Sequence, residues 1–559
     1  MAQLTYAILA LLPAVLWYLW AQLRQWRFKK YSHIPIVYPQ SLPLGHLKLL
    51  GEGFMKMEKG RHIDYVLRDM IRAKGDPEIL FLDLRPINFP MVIVASHKVA
   101  EQITRPSKLH PYSVTKSPTM QSTYRRLVGA RSLLSEEDES WRILRKRFNP
   151  GFAPSHLITL LPSILDKTST FISKLDALAK TGETFEMDPL CTNLTFDIIG
   201  QIVTNLDFHA QDENVDGIDI VRHFRTQIGT YKNNDQMFAF LDPKRRITRL
   251  VSSIQLDASI KKCIKTQFAQ IKEGQKTETK RTKDRSVIAL ALQDIDVLTS
   301  DVLQSTADQV KTFLFAGHDT TSILLQRLFH ELSIHPKCLA TIRAEHESIF
   351  GDRNPREILL EKPDETMKAL SYTSACIKEA LRLWPPAGSA RRALPGAGFK
   401  VRLQDGQEVC LDGTVLYLCQ FLIQRDPKVY GETATEFVPE RWLGDTDTSE
   451  ATNDFNGTQA GASKIPISAW RPFERGPRNC IGQELANLEA RVILACVMRR
   501  YDFEKVGAGE VVRDEMGEPR MEKGKDVYKT KAELFSSMVV TSKPHDRSLM
   551  KLRMHKPNA

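Results

Sequence analysis

A mainly α-helical fold with minor β structure is the class this sequence predicts. Three observations carry it. One helical run extends without a break from about Ser300 to about Ile334, most of the remaining 559 residues also pattern as helix, and extended runs are short: MVIVA at 91–95, VLYL at 415–418 and MVVT at 538–541. Thr299 or Ser300 caps the long run and Pro336 stops it. At 1.5 Å per residue it reaches about 50 Å. Its middle, residues 310–325, is apolar on most faces, the pattern of a buried helix. The three extended runs, rich in β-branched residues, read as strands of small sheets.

From the N-terminus, residues 1–23 carry no charged side chain. A helix of that length reaches across a hydrocarbon core of roughly 30 Å. Pro13 is tolerated in such helices. Arg24, Arg27, Lys29 and Lys30 follow, the basic flank expected on the cytoplasmic side. This predicts a single-pass anchor in contact with membrane lipid, with the body that follows it on the cytosolic side. A cleaved signal peptide is the alternative; the missing basic start and the basic stop speak against it. Residues 24–48 are basic and Pro-rich, with Pro35, Pro39 and Pro43, and predict a stiff, non-helical connector. One large body follows over 49–545, then a basic tail over 546–559, expected to be loosely held. Residues 272–285 and 444–463 are polar and read as exposed loops.

The net charge is +11. Such a balance suits nucleic acid, anionic lipid or an acidic protein partner. No nucleic-acid motif is present, so no nucleic acid is expected as a partner. The eight cysteines form no CxxC pair and no disulfide framework, which points to a reducing compartment.

Four segments carry chemistry. In FERGPRNCIG (473–482), Cys480 stands between Gly476 and Gly482, just before a helical run from Gln483. A thiolate at a helix N-terminus is stabilised by backbone N–H groups and the helix dipole, and glycine lets a flat group lie close to the chain. In KEALRLWPP, Glu379 and Arg382 lie three apart on one helix face and can pair. In AGHDTT (316–321), Thr320 can bond the carbonyl of Ala316 and bend the long helix. His318 there reads as core-facing rather than as a ligand. In SWRILRKRF, Trp141 and Arg145 share one helix face, while Arg142 and Lys146 point elsewhere.

Together these segments resemble the cytochrome P-450 family, whose cysteine loop FxxGxRxCxG is matched at every fixed position by Phe473, Gly476, Arg478, Cys480 and Gly482. The likeness covers nearly the whole chain. It implies the P-450 fold, a long central helix over a haem with small β-sheets, and a haem-binding monooxygenase domain over 49–545. It implies haem b (iron protoporphyrin IX), with Cys480 as the metal ligand and the other loop residues holding the cofactor. Glu379 and Arg382 would join Arg441 of FVPERW in a buried network that maintains the fold. Asp319 and Thr320 would be the catalytic proton relay, with Ala316 beside the haem and Gly317 leaving room for dioxygen. Trp141 and Arg145 would meet one haem propionate and Arg392 another, with Arg391 as its rival. Gln424 departs from the family, where many members carry His.

The resemblance further implies electrons from NADPH through a flavoprotein, the NADPH-cytochrome P-450 reductase. Its acidic face would dock on the side of Arg142 and Lys146, unless that face is merely solvated. The reaction expected is hydroxylation, desaturation or epoxidation of a lipophilic small molecule. Phe313, Ala316, residues 387–390 and parts of 112–132 are pocket candidates, with plain core packing as the alternative for each but Ala316. The stretches PPAGSARRA, QRDPKVYG and AWRPFERGPRNCIGQELA resemble fungal secondary-metabolism members of the versicolorin-desaturase type, which implies a polyketide-like scaffold. Two other activities stay open: a reductase-independent haem-thiolate isomerase or dehydratase, and a non-catalytic membrane haem carrier.

Overall fold

The computed structural model describes residues 2–38, 40–212, 217–231, 242–277, 284–444, 465–538 and 540–556. Its strands in chain order are β1 (Ile79–Leu82), β2 (Met91–Val94), β3 (Phe185–Glu186), β4 (Ser389–Arg392), β5 (Lys400–Arg402), β6 (Glu408–Cys410), β7 (Val415–Leu418), β8 (Tyr501–Lys505), β9 (Ser536–Met538), β10 (Ser542–Pro544) and β11 (Leu549–Met554). Seven helices bear on the site: α1 (Ala2–Arg24), α2 (Asp138–Phe148), α3 (Met187–Thr204), α4 (Pro243–Thr277), α5 (Ser300–Ile334), α6 (Ser371–Leu383) and α7 (Gln483–Val497). The class is mainly α with minor β, and the chain divides into two compact units.

The first unit comprises Met1–Ser117, Gly388–Asp426 and Arg475–Arg478. Its centre is a four-stranded sheet in the order β1-β2-β7-β4. β2 runs parallel to β7, with Met91 opposite Val415, while β1 and β4 pair antiparallel at the edges. The runs at 91–95 and 415–418 are thus strands. Phe81, Val92, Val94, Leu416 and Leu418 pack into one core with Tyr31 and Ile34.

Those last two residues correct the connector. Of residues 24–48, expected to be non-helical, Gln25–Lys29 form a π-helical turn, and Tyr31 and Ile34 pack against the sheet. Arg27 donates to the carbonyls of Leu42 and Pro43 at 2.8 and 2.7 Å and pairs with buried Asp83 at 2.8 Å. Burying a guanidinium needs that full set of partners, and they fix the segment onto the sheet.

The expected spanning segment lies in α1. Among the described residues, however, no helix is long and apolar enough to cross a membrane. The transmembrane reading is therefore not carried by the structure. Leu11, Leu16, Trp17, Leu19 and Trp20 on this stretch are nonetheless exposed.

The second unit comprises Pro118–Ala387, Pro427–Glu474 and Asn479–Ala559. Its axis is α5, with the bounds the sequence predicted. The Thr299 hydroxyl accepts the Val302 N–H at 3.2 Å as its cap, and Pro336 opens the next helix. α3 lies along α5 closely enough that a Cβ on Gly317 would sit 2.6 Å from Ile199 Cγ1.

Three loop and tail expectations need revision. Residues 272–277 continue α4 instead of forming a loop; long-chain Lys, Glu and Gln are good helix formers, so a polar run need not break a helix. Of the described residues in 538–541, Met538 is in a strand and 540–541 bend into β10, which pairs antiparallel with β9 through Ser542 and Met538; residue 539 lies outside the described residues. The basic tail is held through Met554. β11 pairs with β8 and β3, and Met550 and Leu552 are buried between basic neighbours. The loop expected at 444–463 lies, beyond Gly444, outside the described residues.

Candidate active site

The cysteine loop is built around one backbone bond. The Cys480 N–H donates to the Phe473 carbonyl at 2.8 Å, which closes the loop, and Gly482 is the residue before α7. Phe473 packs edge-on against Trp470, whose indole N–H donates to the Lys378 carbonyl at 3.1 Å. Cys480 is exposed. Gly476 has a positive φ of 79°, and a Cβ there would lie 2.2 Å from the Thr104 carbonyl oxygen, so only glycine fits. Arg478 is buried.

Trp141 is buried on α2. Arg145, one turn on, donates to the Asn479 carbonyl at 2.8 Å and to Asn479 Oδ1 at 3.0 Å. The residue expected at a propionate therefore braces the cysteine loop. Burial lowers the proton affinity of Arg145, and the charge of Cys480 works against that. Arg142 is turned outward and pairs with Glu139 at 2.5 Å. A shallow surface depression of about 520 Å³ lies here, lined by Trp141, Arg142, Arg145, Lys146, Asn149 and Pro150.

On α5, nearly every residue from 306 to 332 is buried. The exceptions are Phe315, Ala316, Gly317 and Thr320, which are half-buried. They form a short half-buried window in the helix. The Thr320 hydroxyl donates to the Ala316 carbonyl at 2.7 Å. The missing Cβ of Gly317 makes room for Ile199 of α3, whose Cγ1 a Cβ there would meet at 2.6 Å. His318 turns into the core, with Nδ1 2.8 Å from the Leu314 carbonyl and its ring against Phe196 and Phe224.

Asp319 is buried and tightly held. Its Oδ1 lies 2.8 Å from Lys543 Nζ on β10, and Oδ2 accepts the Thr541 hydroxyl. Burial would raise its proton affinity. Lys543 outweighs that, with help from His318 and Thr541, and the carboxyl is held below its ordinary range. Burial opposes the charge on Lys543 too, but Asp319 and Asp188 more than offset it.

Glu379 and Arg382 of α6 are fully buried and meet Arg441. Arg382 Nε and Nη2 donate to the Glu379 carboxylate at 2.9 and 2.7 Å, and Arg441 Nε donates to it at 2.9 Å. Two further donors escaped sequence reasoning: the Trp442 indole at 2.9 Å and the Val438 N–H at 3.0 Å. Both lie in FVPERW, so the motif held the signal.

Of the pocket candidates, Phe313 is core, its ring packed between Phe148 and Phe152. Part of 112–132 is clamped to α5. Thr312 donates to the Val128 carbonyl at 2.7 Å, and Asp308 accepts the Arg131 N–H at 3.0 Å. Ala387 and Gly388 are exposed and Ser389 and Ala390 half-buried. In the first unit, Arg392 is half-buried, and its Nε has no hydrogen-bond partner among the described residues. Arg391 is fully buried.

These residues fit a haem. An exposed thiol stands at a helix N-terminus, and a half-buried window opens in an otherwise buried helix. Comparison with known proteins agrees. Residues 80–523 match the cytochrome P450 family model. The cytochrome P450 monooxygenase acrF of Aspergillus aculeatus is 31% identical over 77% of this chain and 85% of its own length. The cytochrome P450 monooxygenase polC of Polytolypa hystricis is 26% identical over 87% of this chain and 83% of its own. The crystal structure of the cytochrome P450DA heme domain superposes with a TM-score of 0.68 at 18% identity, over 94% of this chain and 98% of that one.

Proposed function

The chain belongs to the cytochrome P450 family and is a P450 monooxygenase, and from that premise we propose that it uses dioxygen and NADPH-derived electrons to hydroxylate, desaturate or epoxidise a lipophilic small molecule of fungal secondary metabolism. The observation that carries this reading is Cys480, exposed at the head of α7 in a loop whose other residues are half-buried or, at Arg478, buried.

Haem b, when bound, supplies the redox chemistry that activates dioxygen, and a thiolate ligand pushes electron density toward O–O cleavage. Cys480 would be that ligand. The Phe473–Cys480 bond and the Arg145–Asn479 pair hold its loop in place. Trp141, Arg145 and Arg392 are the residues we assign to the propionates. Arg145 would exchange its Asn479 contacts to do so, and Arg392 has a nitrogen to give. Phe473, Gly476, Arg478 and Gly482 shape the loop, and Ala316 lies in the half-buried window.

Thr320 and Asp319 hold and move the protons that oxygen activation consumes. The Thr320 hydroxyl, now on the Ala316 carbonyl, sits in the half-buried window, and Asp319 is the adjacent acid. Substrate contacts fall to Ala316 and residues 387–390, small and incompletely buried. The polyketide-like scaffold rests on the sequence resemblance to fungal secondary-metabolism members.

An NADPH-cytochrome P450 reductase is the proposed electron donor. Exposed Arg142 beside the shallow depression on α2 supports docking of an acidic flavoprotein there. We place the protein at the endoplasmic reticulum membrane, attached through α1 with its body in the cytosol. The exposed Leu and Trp side chains of that helix support it. Removal of residues 1–23 would then release the protein from the membrane fraction, and retention would refute the attachment.

The optical spectrum of the reduced, carbon-monoxide-bound protein tests the central reading. A strongly red-shifted Soret band is expected, together with NADPH oxidation that requires added reductase. A haem-loaded protein without that band would overturn the ligand assignment. A normal band with no reductase-dependent turnover would overturn the monooxygenase reading.

A further inference from the structure

Resting on the proton-relay reading of Asp319, we propose that Lys543 of β10, shared between Asp319 and Asp188, is the positioning residue that lets Asp319 change charge without leaving a buried charge unpaired.

The geometry is a ladder across three elements. Lys543 Nζ lies 2.8 Å from Asp319 Oδ1 on α5 and 3.0 Å from Asp188 Oδ1 on α3. Asp188 is held in turn by Gln326 Nε2 at 3.0 Å and Thr192 Oγ1 at 3.3 Å. Arg547 stands 4.0 Å from Asp188 and also pairs with Glu186 at 2.6 Å, half in solvent. The ladder therefore runs from the surface at Glu186 and Arg547, through Asp188 and Lys543, to Asp319. His318 is the titratable neighbour on the helix of Asp319 itself.

Charge counting gives the ladder its role. A lone Lys543–Asp319 pair would strand a buried ammonium as soon as Asp319 took up a proton, a penalty of several kcal/mol. With Asp188 present, Lys543 keeps a carboxylate partner at that moment. Asp188 in turn has Arg547 as a second cation. Protonation of Asp319 thus alters one contact and leaves the rest of the ladder neutral. The hairpin that carries Lys543 is itself fixed to α5: Arg327 donates to the Leu534 carbonyl at 2.5 Å and to Ser536 Oγ at 2.8 Å. The ammonium is therefore held at a set place, as a positioning role demands.

The two partners of Asp319 should then push its titration in opposite directions. In Lys543→Gln the nearby cation is gone and burial dominates, so the midpoint should rise by about one unit or more. In Asp188→Asn the whole charge of Lys543 falls on Asp319, and the midpoint should drop. Lys543→Arg should behave like the parent. The test is an infrared pH titration of the full-length holoenzyme, with the Asp319 carboxyl band identified by its absence in Asp319→Asn. Beside it, peroxide formed per NADPH oxidised is measured with added reductase. Peroxide should rise severalfold in both Lys543→Gln and Asp188→Asn, as in Asp319→Asn.

Shifts of opposite sign with raised peroxide support the proposal. Unmoved bands, or shifts of one sign, overturn it even where Asp319→Asn raises peroxide and the relay itself stands. Unchanged peroxide in Asp319→Asn overturns the relay, and the role of Lys543 with it. The ferrous carbon-monoxide spectrum, expected to be that of the parent in every variant, separates these results from a collapsed haem site.

Discussion

Glu379→Gln is the substitution whose cost follows most directly from the structure. One fully buried carboxylate receives five donors: two N–H groups of Arg382, Nε of Arg441, the Trp442 indole and the Val438 amide. The amide variant keeps the volume but removes the charge that balances two guanidinium groups, and turns an NH2 toward donors. Breaking a buried pair in this way costs about 3–5 kcal/mol. That is a large part of the 5–15 kcal/mol by which folded proteins are ordinarily stable. At about 1.4 kcal/mol per tenfold, the folded-to-unfolded ratio falls by two to three orders of magnitude or more. Trp442→Phe removes only one hydrogen bond to the same carboxylate and should cost about 1.5–3 kcal/mol. Urea unfolding, followed by tryptophan fluorescence and by the carbon-monoxide-bound Soret band, measures both. If Glu379→Gln stays within about 1 kcal/mol of the parent, or costs less than Trp442→Phe, the network is not what holds this region.

Cys480→Ala should abolish the red-shifted carbon-monoxide band while the fold persists; a band that survives would move the ligand elsewhere. Gly317→Ala places a Cβ 2.6 Å from Ile199 Cγ1 and should cost about 1–3 kcal/mol, relieved by Ile199→Ala. A Gly317→Ala protein of parental stability would refute the close α3–α5 contact. Glu489 on α7 is buried, which pushes its carboxyl up to about 8, with Thr321 pulling slightly the other way. A raised carboxyl favours the folded state below the unfolded value of about 4.5 and loses that advantage as pH climbs through 8. Glu489→Gln should therefore gain stability relative to the parent from pH 5 to pH 9, read in parallel thermal melts. A gap that shrinks over that range would show a charged Glu489 with partners of its own.

The parts of the fold that could be read in sequence are those whose signals are local. Helix α5 shows a capping threonine, an apolar middle and a stopping proline, and each acts within a turn of the place it marks. Strands β2 and β7 are unbroken apolar runs, MVIV and VLYL, because their sheet buries most of their side chains. The tail was harder. In LMKLRM the two buried residues, Met550 and Leu552, alternate with Lys551 and Arg553, and the charges mask a period-two pattern. The connector misled for a related reason. Arg27 sits where a membrane flank would carry a cation, yet its guanidinium is spent on three backbone carbonyls, those of Leu42, Pro43 and Arg85, and on Asp83. Whether an arginine faces lipid or a folded sheet depends on residues such as Asp83, more than fifty positions away.

The site divides along the same line. Cys480, Glu379, Arg382 and Thr320 sit in motifs because the chemistry they need is provided by neighbours in the chain: a helix start, a pairing three residues on, a carbonyl four residues back. Asp319 stood in a motif as well, but its partner did not. A carboxylate buried as deeply as Asp319 must meet a cation or stay protonated, so burial alone demanded a lysine or arginine somewhere. The sequence had 78 of them and no reason to single out Lys543. That choice is made by a hairpin of two three-residue strands, which Arg327 ties to the same helix that carries Asp319. One helix thus supplies both the acid and the arginine that anchors its partner. A shift of that hairpin along α5 would therefore separate Lys543 from Asp319 before it disturbed either the cysteine loop or the Glu379 network, neither of which makes a described hydrogen bond or ion pair to β9 or β10.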